Sequence, residues 1–446
     1  MAAISKPSTT PVDATYAFRL LADQVGPTFG PTTPACNVSF CPLSLHIAAS
    51  ILTVASSVST AADASSRHEL LLSFLRSNRF PPLPDPDAST AIRAATASKR
   101  DEDGGPFVFF DNALWLDDHL ARSGCGGAFF QETGRYRSLI HHADFETEAD
   151  KARSEVESWL LEINHSHAPK LLQKRSVNSN TECIVSNVLL FRGDWAKDLE
   201  LKLDPSKEQG CLEFYRLNDS SIGVPFMVSR RPQCIDTYPG FKALRLPYER
   251  GSGKRHFAMY IFLPDARDGL FDLLDKFATE PGFLDRHLPK KMVPVGEFKV
   301  PVRSATYFSQ ALGIVWPPRD ITRGEDATVA DPTRDPFQPR CFSLLLFLSE
   351  DENGTEAAAA SAAVLGSFEL VDCDPIDFVA DHAFLYVIRE DVTGTVLMIG
   401  HVNNPVCGDP KFFQTCHGEM SSARKEAISN FLAEASLEEI ENLVIS

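Results

Sequence analysis

The sequence predicts an α+β fold, because segments with helical periodicity and segments with strand periodicity follow one another in mixed order. The chain shows neither the regular β-α-β alternation of a parallel-sheet protein nor an internal repeat. It has 446 residues, of which 43% are hydrophobic, and this is enough for a sizeable core. One large domain is therefore predicted, although the length alone would also allow two or three.

Helices are predicted where apolar residues recur at the helical period. These segments are residues 15–25, 42–58, 70–74 and 149–163. In the last segment Val156, Trp159 and Ile163 fall on one face, which is typical of a helix that packs against a core.

Strands are predicted from shorter apolar runs at residues 107–116, 183–191, 257–263, 342–348, 384–388 and 396–399. The run from Cys183 to Phe191 is apolar and of strand length, so we expect a strand that is buried on both faces. Thr393-Gly394 lies between the last two runs and indicates a hairpin turn.

Charge and hydropathy argue against two classes of partner. The chain has 43 basic and 60 acidic residues, and the formal net charge of −17 argues against nucleic-acid binding. Its apolar stretches are shorter than the ~18 residues needed to span a bilayer, so no membrane partner is expected.

Residues 1–14 are predicted to form a disordered N-terminus. They are polar, rich in Pro and Thr, and lack the basic and apolar segments of a signal peptide. A cytoplasmic location is therefore expected, with the ten cysteines present as reduced thiols.

No motif points to catalysis. The sequence has no Gly-x-Ser-x-Gly nucleophile elbow, and Gly251-Ser252-Gly253-Lys254 lacks the spacing of a phosphate-binding loop. His141-His142 and Cys416-His417 lack a second ligand pair at metal-binding distance along the chain. We expect neither enzymatic activity nor a cofactor or metal.

The stretch from Glu352 to Ala363 is the most unusual part of the sequence, because it is almost entirely alanine and other small residues. One interpretation is a surface helix, since alanine is the best helix former. The other is a strand that can slide between two existing strands, since small side chains need little room and no proline interrupts the backbone donors. The absence of an apolar stripe speaks against a packed helix.

Several further motifs occur in a fixed order along the chain. They are Phe40-Cys41-Pro42-Leu43-Ser44, Asn112-Ala113-Leu114-Trp115, the segment from Asn187 to Trp195, the segment from Phe241 to Tyr248, the segment from Asp377 to Leu385, and the segment from Gly400 to Pro405. Together with the small-residue stretch, this ordered series resembles the serpin family, and plant serpins in particular.

The resemblance implies a serpin fold over residues 15–405, with three β-sheets, about eight or nine helices and an exposed reactive-centre loop at about residues 352–376. In that family the intact fold is metastable. A serine protease cleaves a bait bond in the loop and becomes acylated, and the loop then inserts into the large sheet with the protease attached. The implied hinge consists of Glu352, Gly354, Thr355, Glu356, Ala357, Ala358, Ala359, Ala360 and Ser361. A monomer is expected, and the resemblance also allows an extracellular location.

Family spacing assigns the bait bond to Phe368-Glu369, fourteen residues after Gly354. Counting back from Phe378 gives Ser367 instead. A phenylalanine before the bond suits a chymotrypsin-like protease, whose primary pocket is a hydrophobic slot. Two alternatives stay open: Phe368 could serve only as an anchor of the loop, or cleavage could occur at Leu365-Gly366 or Leu370-Val371.

The region where the family's large sheet opens departs from the family pattern. The resemblance assigns Cys41, Ser44, Asn187, Trp195 and Leu344 to this region. Cys41 stands where the family has a serine and Leu344 where it has a histidine, so two good hydrogen-bonding groups are replaced. If Asn187 is buried without a partner, the expected cost is ~1–3 kcal/mol.

Two further segments differ from the family. The strand expected after Pro301 is shortened, and the sequence from Val302 to Ala311 diverges. Residues 406–446 form an atypical C-terminal extension, predicted to be partly helical. These departures leave an alternative function open: a serpin-fold protein that does not inhibit and serves in storage or binding, or is a degenerate paralogue.

Overall fold

The computed structural model describes residues 15–25, 37–44, 47, 105–118, 133–134, 138–163, 177–179, 181, 183–199, 202–203, 211–251, 255–301, 307–316, 342–349 and 374–405. Several predictions fall on other residues and lie outside the described part. They concern the N-terminus at 1–14, the helix at 70–74, most of the helix at 42–58, the hinge and bait bond, and the extension at 406–446.

The described residues form seventeen strands. In chain order they are β1 (Val38–Phe40), β2 (Phe107–Asp117), β3 (Leu139–Ala143), β4 (Cys183–Arg192), β5 (Lys202–Leu203), β6 (Cys211–Tyr215), β7 (Ser221–Val228), β8 (Gln233–Tyr238), β9 (Phe241–Pro247), β10 (Phe257–Pro264), β11 (Met292–Val293), β12 (Val295–Pro301), β13 (Tyr307–Trp316), β14 (Phe342–Ser349), β15 (Ile376–Val379), β16 (Phe384–Glu390) and β17 (Thr395–Val402).

These strands form three sheets. A seven-stranded antiparallel sheet has the order β1-β17-β16-β10-β9-β8-β11. A second sheet, here called the hinge sheet, has the order β14-β13-β4-β2-β3. The third, here called the anchor sheet, has the order β15-β12-β7-β5, with β6 paired to β7. The predicted α+β class with three sheets is confirmed.

Four α-helices lie in the described part of the chain: α1 (Thr15–Val25), α2 (Phe145–Ile163), α3 (Leu270–Thr279) and α4 (Phe283–Arg286). Residues 42–44 and 47 are also helical. None of the helices among these residues is long and apolar enough to cross a membrane.

Helix α2 begins four residues before the predicted start at Ala149. Asp144 caps its first turn, because the Thr147 backbone N–H donates to Asp144 Oδ1 at 2.8 Å. Glu148 has non-helical backbone angles, so the regular helix begins after it, at the predicted start of the apolar periodicity. The added turn therefore results from capping, which the apolar spacing does not reveal.

The hinge sheet separates two apolar cores. Val185, Leu189 and Phe191 of β4 join the core shared with the seven-stranded sheet. Ile184 and Val188, on the opposite face, pack in a second core with residues of β2 and with Val156 of α2. The predicted burial of β4 on both faces is confirmed, and it follows from the two-residue alternation of side chains along a strand.

Strand β13 differs in position and length from the strand expected after Pro301. That strand was expected to be shortened, with a divergent sequence from Val302 to Ala311, whereas Tyr307–Trp316 forms a ten-residue strand. It pairs with β4 on one edge and with β14 on the other. Its strand state therefore depends on neighbours that are distant in sequence.

A buried charge joins β9, β10 and the turn after β16. Arg245 Nη2 lies 2.6 Å from Asp391 Oδ2, and Tyr260 Oη donates to Asp391 Oδ1 at 2.7 Å. Burial, followed by the negative charge of Asp391, raises the pKa of Tyr260, so its hydroxyl stays a donor. Arg245 is 5% exposed, and the Asp391 carboxylate lies against its buried charge.

We expect Asp391→Ala to lower the free energy of unfolding by about 3–5 kcal/mol, because it removes the carboxylate that pairs with the buried Arg245 and accepts a hydrogen bond from Tyr260. The matched control is Asp285→Ala, which breaks a 3.0 Å ion pair between Arg389 and an aspartate that is 49% exposed. An exposed pair contributes less than ~1 kcal/mol. Urea unfolding of both variants measures the difference. Equal losses would contradict the role assigned to the buried pair.

Candidate functional site

The predicted reactive loop connects two different sheets. It follows Ser349, the last residue of β14 in the hinge sheet, and it precedes Ile376, the first residue of β15 in the anchor sheet. The predicted hinge, Glu352 to Ser361, and the predicted bait bond, Phe368-Glu369, lie outside the described residues. The structure therefore describes what holds the two ends of the loop.

The downstream end is fixed by strand pairing. Strand β15 runs parallel to β12, with Phe378 opposite Phe298. The backbone N–H of Ile376 donates to the Pro294 carbonyl at 3.0 Å, and that of Ala380 donates to the Lys299 carbonyl at 2.8 Å. Whatever happens to the loop, these contacts keep its downstream end in the anchor sheet.

Asp377 adds a side-chain contact to this anchor. Its Oδ1 accepts a hydrogen bond of 2.6 Å from the Glu297 backbone N–H, and its carbonyl oxygen accepts one of 3.0 Å from Lys242 Nζ. A Cβ atom at Gly296 would collide with Asp377 Oδ1. Glycine at position 296 therefore allows the close approach of the carboxylate.

The upstream end of the loop leaves the hinge sheet where β4 also ends. Ser349 lies opposite Tyr307, and Tyr307 lies opposite Arg192, the last residue of β4. Next along the chain, Trp195 stacks on Tyr248 with the ring centroids 4.5 Å apart. Trp195 thus follows the end of β4, at the same end of the hinge sheet as Ser349.

The aromatic contact fastens the end of β4 to the seven-stranded sheet. Tyr248 follows β9 and is buried, and the edge of its ring meets Phe191 at a centroid distance of 4.9 Å. A Cβ atom at Gly193 would lie 3.0 Å from the Tyr248 ring, so this glycine permits the tight packing. Tyr248 and Gly193 lie within the ordered motifs of the sequence, but the motifs alone did not indicate this packing role.

Three of the residues predicted for the opening region meet in the middle of the hinge sheet. Asn187 Nδ2 donates a 3.0 Å hydrogen bond to the Ser44 carbonyl oxygen. The Ser44 backbone N–H in turn donates to Cys41 Sγ at 3.3 Å. All three residues are completely buried. Cys41 therefore supplies an acceptor in place of a serine hydroxyl, and Asn187 has a partner for its amide nitrogen.

The same group leaves some hydrogen-bonding capacity unused. Within the described part of the chain, Asn187 Oδ1 and Ser44 Oγ have no partner. Burial raises the pKa of the Cys41 thiol to about 11, so the sulfur is neutral and only a weak acceptor. The arrangement is a partly satisfied polar cluster inside an apolar core, which is costly to retain.

Leu344 does not lie next to Asn187. It is opposite Leu312 of β13, and Leu312 is opposite Asn187 of β4. One whole strand therefore separates the two residues that family positions assigned to one cluster. The residue of β13 that occupies the neighbouring register position, Leu312, was missed. The divergence after Pro301 is the signal that could have indicated it.

Comparisons with known proteins give consistent matches. A family model described as serpin (serine protease inhibitor) matches residues 15–301 and 345–405. Serpin-ZXA of Oryza sativa subsp. japonica is 35% identical over 412 residues, which cover 88% of this chain and 96% of that protein. Serpin-ZX of Arabidopsis thaliana is 35% identical over 380 residues, which cover 83% of this chain and 92% of that protein.

A solved structure is also similar. It is an Arabidopsis serpin, AtSerpin1, in its native stressed conformation, with 31% identity and a TM-score of 0.61. The match covers 88% of this chain and 96% of that chain. The matched family model leaves out residues 302–344, which include all of β13 and end at Leu344.

We expect Cys41→Ala to destabilise the protein by about 0.5–2 kcal/mol, the range for removal of a side chain that caps a helical turn. Cys41→Ser is the matched control, because it keeps an acceptor of similar size facing the Ser44 N–H. It should be at least as stable as the unmodified protein. Urea unfolding compares the three proteins. Equal stability of the alanine and serine variants would show that the sulfur contact contributes nothing.

Proposed function

Because this chain belongs to the serpin family, we propose that it inhibits a serine protease by acting as its suicide substrate. The observation that carries the proposal is the attachment of the predicted reactive loop to two different sheets, at Ser349 in β14 and at Ile376 in β15. A cut between them separates two segments that are held independently.

The chemistry begins with the protease. Its serine Oγ attacks the carbonyl carbon of Phe368, the bond to the Glu369 nitrogen breaks, and the leaving amine takes up a proton. The product is an ester between the protease and Phe368. The segment from Glu369 onward stays with the anchor sheet, while the segment from Ser349 to Phe368 is free to move with the protease attached.

Inhibition then depends on competing rates. Insertion of the hinge into the hinge sheet carries the protease away from its active geometry, whereas hydrolysis of the ester releases it. The small side chains of Thr355 and of Ala357 to Ser361 support insertion, because a strand of small residues needs little room between its neighbours. A chymotrypsin-like target is proposed, because Phe368 fits a hydrophobic primary pocket.

The direct experiment is a titration of the protein with chymotrypsin, followed by SDS electrophoresis. An ester-linked complex survives SDS and runs as one band with the combined mass of the protease and the upstream fragment. Sequencing the released fragment from its N-terminus should give Glu369 first. Cleavage without any SDS-stable band would contradict inhibition of this protease.

A second function is supported by a specific observation. Strand β13 is paired along both edges, between β4 and β14, within the sheet that a loop would have to enter. A serpin-fold protein in this state would be cleaved as an ordinary substrate and would serve in binding or storage. The ratio of SDS-stable complex to cleaved product distinguishes the two functions.

We expect Phe368→Arg to shift the preference of the protein from chymotrypsin to trypsin. The phenyl group gains roughly 1.5–3 kcal/mol from burial in the protease pocket, and arginine loses this gain but suits an acidic pocket. Second-order rates of complex formation with the two proteases measure the shift. Cleavage of both proteins at another bond, with position 368 uncut, would refute the assignment.

We expect Thr355→Arg to abolish the SDS-stable complex while leaving cleavage intact. In an inserted strand Thr355, Ala357 and Ala359 would share one face, and a charge placed there would be buried. Glu356→Arg is the matched control, because position 356 lies on the opposite face of the strand and already carries a charged side chain. If both variants trap protease as well as the unmodified protein, insertion through this hinge is wrong.

A further inference from the structure

Strand β13 is tightly integrated into the hinge sheet. Ten of its residues pair with β4, from Tyr307 opposite Arg192 to Trp316 opposite Cys183. Eight pair with β14, from Tyr307 opposite Ser349 to Ile314 opposite Phe342. The backbone groups along both edges of β13 are thus used in sheet pairing.

The direction of β13 is the important property. It runs antiparallel to both neighbours, so β4 and β14 run parallel to one another. If β13 were removed, the gap between them would accept one strand that is antiparallel to both. A segment that turns back directly after Ser349 runs antiparallel to β14 and meets this condition. The hinge segment and β13 therefore fit the same place in the same direction.

Strand β13 also lies outside the residues that the family model matches. The family model matches residues 15–301 and resumes at 345, and all of β13 falls in the gap.

We propose that β13 is an exchangeable strand that occupies the place the reactive loop must take, so that the loop enters the sheet only by displacing β13. The inference rests on the proposed function in one respect: it assumes that the loop after Ser349 inserts as a strand. Under this proposal β13 competes with the loop for one place in the hinge sheet, and insertion requires the displacement of β13.

The energetic consequence follows from the hydrogen bonds. A loop that enters an open gap adds a new ladder on both sides, whereas a loop that replaces β13 exchanges one ladder for another. The net gain from such an exchange is small, because equivalent backbone hydrogen bonds are lost and made. The β13 ladders must also be broken before those of the loop can form, so insertion should be slow, and hydrolysis of the ester should compete well with it.

Ser186 of β4 allows two matched disulfide variants, here called locks, of which one fixes β13 and the other does not. It lies opposite Gly313 of β13 on one side and opposite Ala113 of β2 on the other. Directly opposed residues in antiparallel strands are about 4.5–5.5 Å apart at Cα, which is within disulfide range. The double variant Ser186→Cys/Gly313→Cys fixes β13 to β4. The control Ser186→Cys/Ala113→Cys fixes β2 to β4 and leaves β13 free.

The experiment uses full-length protein and a fluorescein-labelled peptide with the sequence of residues 354–366. Uptake of the peptide is followed by native electrophoresis, with each variant oxidised and then reduced by dithiothreitol. We expect the oxidised β13 lock to reduce uptake at least tenfold and reduction to restore it. The control lock should take up peptide like the unmodified protein in both states. Restoration by dithiothreitol in the same sample shows that the locked protein was folded.

Two results would overturn the proposal. Equal uptake by the two oxidised variants would mean that the peptide enters without displacing β13, for example at the outer edge of β14. No uptake by any form would mean that β13 does not exchange. Failure of the inhibitory function would look different from both results. The oxidised β13 lock would still reduce peptide uptake, but no SDS-stable protease complex would form. This outcome would support the exchange of β13 and refute only inhibition.

Discussion

Strand β4 is the constraint on which the rest of the candidate site depends, because it is enclosed on every side. Its faces are buried in two separate cores, and its edges are paired with β2 and β13. Asn187 in its middle holds the turn that contains Ser44, and the residues after it stack Trp195 on Tyr248. Because β4 is held on all sides, the exchange proposed above takes β4 as its fixed edge and concerns the strand on its β13 side.

Sequence patterns predicted the strands whose burial is continuous, such as β4, β10 and β16, because a run of apolar residues records the need for burial directly. The start of α2 was harder to predict. Its first turn is held by a hydrogen bond to the Asp144 side chain, and the spacing of apolar residues contains no sign of this cap. The position and length of strand β13 could not be predicted. Its strand state depends on β4 and β14, which are far away in sequence, and strand preference depends on such neighbours more than on the residues themselves.

The candidate site, too, could be predicted from the sequence only in part. Sequence motifs brought attention to Cys41, Ser44 and Asn187, which the structure places together. They did not reveal that Ser44 contributes its backbone carbonyl and N–H instead of its hydroxyl, because a motif records only side chains. They also assigned Leu344 to the same cluster, although the pairing register inserts Leu312 between it and Asn187. Register is a property of the assembled sheet, so no local pattern could supply it.

The position of the predicted loop between β14 and β15 determines what a cut does to the molecule as a whole. Any cut between residues 350 and 373 divides the chain into two pieces, and the shorter piece contains β16 and β17. These strands lie inside the seven-stranded sheet, between β10 and β1. The pieces would therefore stay together as a noncovalent complex of unequal fragments. Once unfolded, they would have to find each other again, and recovery of the native state would depend on concentration, as in the assembly of a heterodimer.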